Sequence, residues 1–151
     1  MPSNKQSKIK KINVPLSLVN IDQTGCHIIL EAKINRKKIN LIVDTGASMT
    51  VFDSSLRGKY IESNEQENNI QSHGLGGNNE IVTNIGLIKK LQIGETVFNN
   101  ISVMTVDLSY IQTIYKQHCG ITISGLIGGD FLQLTNAIIN YKTKKLTYYI
   151  T

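Results

Sequence analysis

Apolar and polar residues alternate along most of the chain, a two-residue period that predicts strands, and the spacing turns helical in only two places. Ile12 to Val19 alternates loosely, and Pro15 within it suits a strand edge better than a sheet centre, because proline has no N–H for a ladder. From Gly25 the pattern sharpens: Ile28, Leu30, Ala32 and Ile34 fall on one face, with His27, Glu31, Lys33 and Asn35 mainly on the other. This predicts a half-buried strand, joined by a polar turn at Asn35 to Lys38 to an apolar strand from Ile39 to Val43. Val51 and Phe52 resume the strand pattern after a tight turn. Ile85 to Ile93 and Val97 to Val106 form a hairpin about Gly94-Glu95-Thr96. Leu108, Ile111, Ile114 and Tyr115 then follow helical spacing, with Asp107 or Ser109 as N-cap and Gly120 near the helix end. Ile121 to Ile127 returns to a strand, and Phe131 to Leu134 is a short helix opened by Asp130. Ala137 to Tyr141 and Leu146 to Ile150 close the chain as strands around Lys142 to Lys145.

Three segments break this pattern. Residues 1–11 are polar and lysine-rich, a frayed arm or edge strand ahead of a single domain over 12–151, which shows neither a linker nor a repeat. Asp53 to Asn69 is a polar surface connection with room for a short helical turn. His73, Gly74, Leu75, Gly76 and Gly77 lie between strand-like flanks and read as a hairpin tip; a plain glycine-rich turn with no role in binding is the other reading. Neither phosphate-loop spacing is present.

Composition narrows the picture. With 151 residues, 40% of them hydrophobic and 18% charged, the chain can bury one sizeable core. The net charge of +5 comes from lysines near the two ends, with Arg36 and Arg57 the sole arginines and no Trp. These read as solvated faces, so no nucleic-acid partner is expected. Cys26 and Cys119 make no disulfide framework, and a reducing compartment is the expectation. No apolar run has the length of a signal sequence or membrane span, so a cytoplasmic protein without a membrane partner is expected.

The candidate chemistry sits in Leu41 to Phe52. An apolar strand delivers Asp44 into a tight turn, where a carboxylate is costly unless it is hydrogen-bonded or able to change protonation state. Thr45 can anchor the turn, and Gly46 and Ala47 keep it small enough for a backbone or substrate to approach, with Ser48 following. Asp107 and Asp130 precede helices and read as caps, while Asp22 and Asp53 lie in polar turns. Cys26-His27 and His118-Cys119 lack zinc-ligand spacing, so neither metal nor cofactor is expected.

These residues resemble the retropepsin-like aspartic proteases, a single-lobe family with retroviral and bacterial members. Leu41 to Ser48 is similar to its Asp-Thr-Gly-Ala signature, residues 73–79 sit where it has a flap, and Gly125-Leu126-Ile127-Gly128-Gly129-Asp130 is similar to its glycine motif before the C-terminal helix. The likeness covers roughly 12–150 and is closest to bacterial members. It implies a mostly β fold, a closed or partly closed barrel with two short helices, and an aspartic endopeptidase acting on peptide segments. It also implies Asp44 as the catalytic residue. One Asp-Thr-Gly supplies one carboxylate, so the resemblance implies a homodimer in which two copies of Asp44 meet. Thr45 would interlock with its symmetry mate, Gly46 would offer backbone groups to substrate, and the 73–77 tip would close over it. Ser48 and Gly129 stand where many retroviral members carry a bracing Asp and Arg, which implies a different brace. The intersubunit sheet could use the 1–19 arm or the Tyr148 to Ile150 end. A catalytically silent domain that binds peptides or mediates dimerisation is the alternative function.

Overall fold

The computed structural model describes residues 7–23, 25–63, 70–72 and 81–151. The 73–77 tip, the first part of the 1–11 arm and most of the polar segment after Ser63 lie outside them. The strands are β1 (Lys10–Val19), β2 (His27–Ile34), β3 (Lys37–Val43), β4 (Val51–Asp53), β5 (Glu62–Ser63), β6 (Ile70–Ser72), β7 (Ile81–Ile93), β8 (Thr96–Val106), β9 (Ile123–Ile127), β10 (Ile138–Asn140) and β11 (Lys145–Ile150). The helices are α1 (Ser109–Cys119) and α2 (Gly129–Leu134).

Alternation sets the inner face of β1, where Ile12, Val14 and Leu16 are buried between exposed neighbours. Pro15 sits where β1 changes partner: Lys10 to Pro15 pair with β11, and Leu16 to Val19 pair with β2. A residue without an N–H fits that junction. Lys10 and Lys11, assigned to the arm by composition, already belong to this strand. The β2–β3 turn is tighter than its polar stretch suggested, with Asn35 and Arg36 both at positive φ and Ile34 opposite Lys37.

The strands run β2-β3-β9-β4-β8-β7 in space, and β7 pairs back onto β2 at Ala32 to Ile34. The result is the expected mostly β fold, a partly closed ring of uneven strands with two helices. Inside it lie Leu30, Ile34, Leu41, Phe52, Ile88, Ile93 and Ile127, all fully buried. β2 is more buried than its alternation implied. Ile29, on its polar-looking face, packs with Ile42, Ile123 and Tyr115 beneath α1. Periodicity shows which face is apolar but not that a helix will cover the other.

One topological feature positions the site. β9 lies between β3 and β4, parallel to the first and antiparallel to the second. The segment joining β3 to β4 must therefore arch over the end of β9. α1 starts where Asp107 accepts the Ser109 amide (2.8 Å), and it ends at Gly120 in the left-handed region (φ 67°). The fully exposed Asp107 carboxyl is held below its usual pKa, mainly by that hydrogen bond. α2 is held against the ring by Phe131, whose ring meets Tyr148 edge-on at 5.5 Å. Among the described residues no helix is long and apolar enough to cross a membrane.

Candidate active site

The arch over β9 is residues 44–50. The Asp44 amide continues the β3–β9 pairing by donating to the Ile127 carbonyl (2.9 Å), and its carbonyl accepts the Ala47 amide (3.2 Å). Its carboxylate Oδ1 takes the Gly46 amide at 2.9 Å, a local turn that fixes the side chain over the strand end. Asp44 is half-buried, while Thr45, Gly46 and Ser48 are exposed on the single chain. The acid thus stands prouder of the surface than a buried strand end would suggest, because the turn lifts it out of the sheet.

The glycine motif closes the arch from below. Gly129 and Asp130 amides donate to the Ala47 and Ser48 carbonyls (2.7 and 3.1 Å), and the Gly128 amide donates to the Thr50 hydroxyl (3.0 Å). A side-chain carbon on Gly128 would lie 2.5 Å from the Met49 carbonyl carbon, and one on Gly125 would lie 2.5 Å from the Val51 carbonyl oxygen. Both positions are filled by backbone, so only glycine fits. Gly129 is different: its added carbon would meet the Ala47 oxygen at 3.4 Å, an ordinary contact.

A cavity of about 470 Å³ opens beside the arch, with Asp44, Thr45, His27, Ile42, Leu126 and Tyr115 among its walls. Among the described residues Asp44 is its only carboxylate. The other acids of the sequence reading are occupied elsewhere. Asp53 is no surface-turn residue: it is buried at the end of β4, where its carboxylate accepts the Leu108 and Ser55 amides and the Ser55 hydroxyl.

A protein-family model described as aspartyl protease matches residues 30–131, which spans the acid turn, the glycine motif and most of the ring. The chain belongs to the aspartyl protease family. Among solved structures, it is similar to a retropepsin-like aspartic protease from Rickettsia conorii, at 19% identity over 95% of both chains with a TM-score of 0.54. The EIAV protease in complex with an inhibitor matches 76% of this chain and 92% of its own at 18% identity and TM-score 0.46. The retroviral protease-like domain of Ddi1 from Leishmania major matches 82% and 93% at 14% identity and TM-score 0.45. No curated protein matches by sequence.

In this aspartyl protease family member, the acid turn (44–48) and the glycine motif (125–130) come together as one bonded unit. Asp130 corrects the cap assignment. It lies inside the first turn of α2, behind Gly128 and Gly129, and one oxygen of its carboxylate accepts the Thr50 amide (2.9 Å), the Thr50 hydroxyl (2.7 Å) and the Phe131 amide (2.8 Å). Thr50 thereby links α2 to Gly128, a brace internal to one chain. Asp130→Ala is expected to lower stability by about 1 kcal/mol and Asp130→Asn by less, since an amide oxygen still accepts, as urea unfolding would measure. Thr50, His27 and Tyr115 are the site residues that sequence reasoning missed. Thr50 had no local signal, and the Tyr115 hydroxyl meets His27 Nδ1 at 2.8 Å across 88 positions of chain.

Proposed function

We propose that this protein is an aspartic endopeptidase that works as a homodimer, with Asp44 of each chain flanking one water. In such a pair the ionised carboxylate takes the water's proton while the protonated one polarises the scissile carbonyl. The observation that carries the reading is that Asp44 stands half-exposed on a braced turn beside a cavity with no second carboxylate among the described residues. A lone acid of this kind is half of a catalytic pair, and a two-fold axis through the exposed turn supplies the other half. Thr45 and Gly46, exposed beside it, are the groups that would meet the partner turn and an extended substrate. Ala47 and Ser48 hold the turn through their carbonyls. The 73–77 tip, outside the described residues, retains its proposed role as a flap over the cleft.

The reaction requires one protonated and one ionised acid together, so activity should follow a bell-shaped pH profile on the acid side of neutrality. A peptide-library digest between about pH 4 and 7, where carboxylate pairs titrate, tests this. Cleavage on this profile, blocked by a pepstatin-like transition-state mimic, is the expected result. No hydrolysis at any pH would leave the chain a silent peptide-binding or dimerisation domain.

A further inference from the structure

The cavity beside Asp44 carries a polar pair that the proposed mechanism does not use. Tyr115 is 4% exposed and anchored among Ile29, Ile42 and Ile123, so its ring cannot move far. Its hydroxyl lies 2.8 Å from Nδ1 of His27, and the two rings meet at 85° with centroids 5.6 Å apart. Burial raises the pKa of the phenol, with Cys119 and Asp44 pushing the same way, so the phenol keeps its hydrogen. We assign that hydrogen to Nδ1, its one acceptor among the described residues. That tautomer carries its imidazole hydrogen on Nε2. No described residue accepts it, and the His27 ring lines the cavity.

The cavity thus combines apolar walls, Ile28, Ile42, Ile111 and Leu126, with an imidazole donor held in place by Tyr115, while Cys26, Thr45 and Tyr141 complete its polar lining. A side chain that fills it best has an aliphatic stem and an acceptor at its tip. An anionic tip is disfavoured, because the cavity already contains the Asp44 carboxylate. Resting on the protease reading above, we infer that His27 is a specificity-determining residue and Tyr115 its positioning residue, together selecting glutamine over an aliphatic side chain of equal length beside the scissile bond. The physical basis is the asymmetry of hydrogen bonding in a confined site: an apolar substrate group leaves the donor without a partner, while glutamine gives it one.

The test uses two peptides that differ only by Gln or Met at the residue next to the cleaved bond, since these side chains are nearly the same size. The wild-type protein is expected to favour the Gln peptide in kcat/KM by roughly 5- to 10-fold, the range of one such hydrogen bond. In His27→Phe the Gln to Met ratio should fall to about one. In Tyr115→Phe, which keeps the ring and removes only the hydroxyl, it should fall part of the way. Rates that drop equally for both peptides, with the ratio unchanged, would mean that the pair is only structural and would overturn the inference. A wild-type ratio of one or less would overturn it as well. In both cases cleavage itself persists and the protease reading stands, whereas a wild type that cleaves neither these peptides nor a library overturns both.

Discussion

Asp44→Asn is expected to abolish peptide cleavage while leaving the fold intact. In the proposed homodimer one substitution removes both carboxylates, the general base and the general acid, and each such group contributes about 10²- to 10⁴-fold. The combined loss should carry activity below roughly one part in 10⁴ of the wild type, to the floor of a peptide assay. Stability should hardly change. The structural duty of the side chain is to accept the Gly46 amide through Oδ1, and an asparagine carbonyl oxygen can do the same. A thermal midpoint within about 2 °C of wild type is therefore expected, the response to less than 1 kcal/mol in a domain of this size. Full activity in the variant would remove Asp44 from the chemistry.

The second large effect is structural and falls on neighbouring glycines in opposite ways. Gly128 has an extended backbone (φ −104°, ψ −173°) that any residue can adopt, so space alone is the reason for glycine. An added carbon would overlap the Met49 carbonyl group at 2.5 and 2.6 Å and press on the Ala47 oxygen at 3.0 Å. These are backbone atoms of the arch that carries Asp44 and cannot swing aside as a side chain would. Gly128→Ala should cost about 3 kcal/mol, at the upper end for overpacking, and lower the thermal midpoint by roughly 6–12 °C. It should also lose most activity even where folded, because relief of the clash moves residues 47–49. Gly129→Ala is the control. It stands in the first turn of α2 with an ordinary contact, so it should be neutral or stabilise by up to about 1 kcal/mol through helix propensity. Equal effects at the two positions, measured by thermal unfolding, would contradict this picture of the arch.

Much of the site was legible because its determinants are local. The apolar run into Asp44, the small residues behind it and the glycines before α2 each carry their reason within a few residues. The alternation of Ile12, Val14 and Leu16 gave the inner face of β1 in the same way. What the sequence did not yield is long-range. The insertion of β9 between β3 and β4 and the return of β7 to β2 depend on pairing between distant segments, which local period does not encode. Asp53 shows the cost of a purely local reading. Its polar neighbours suggest a surface turn, yet β4 carries it inward to receive the first amides of two later segments. Asp130 looked like a helix cap for the same reason, since its principal partner, Thr50, lies 80 positions away. His27 reads as a polar-face residue until α1 brings Tyr115 over it.

In the proposed function Asp44 is half of a catalytic pair completed by a second chain. Specific activity and solution mass, measured on the same samples across a dilution series, test it most directly. Activity per chain is expected to fall on dilution in step with the dimer fraction and to vanish where the mass is that of one chain, 16.8 kDa. Undiminished activity in samples that are wholly monomeric would contradict it.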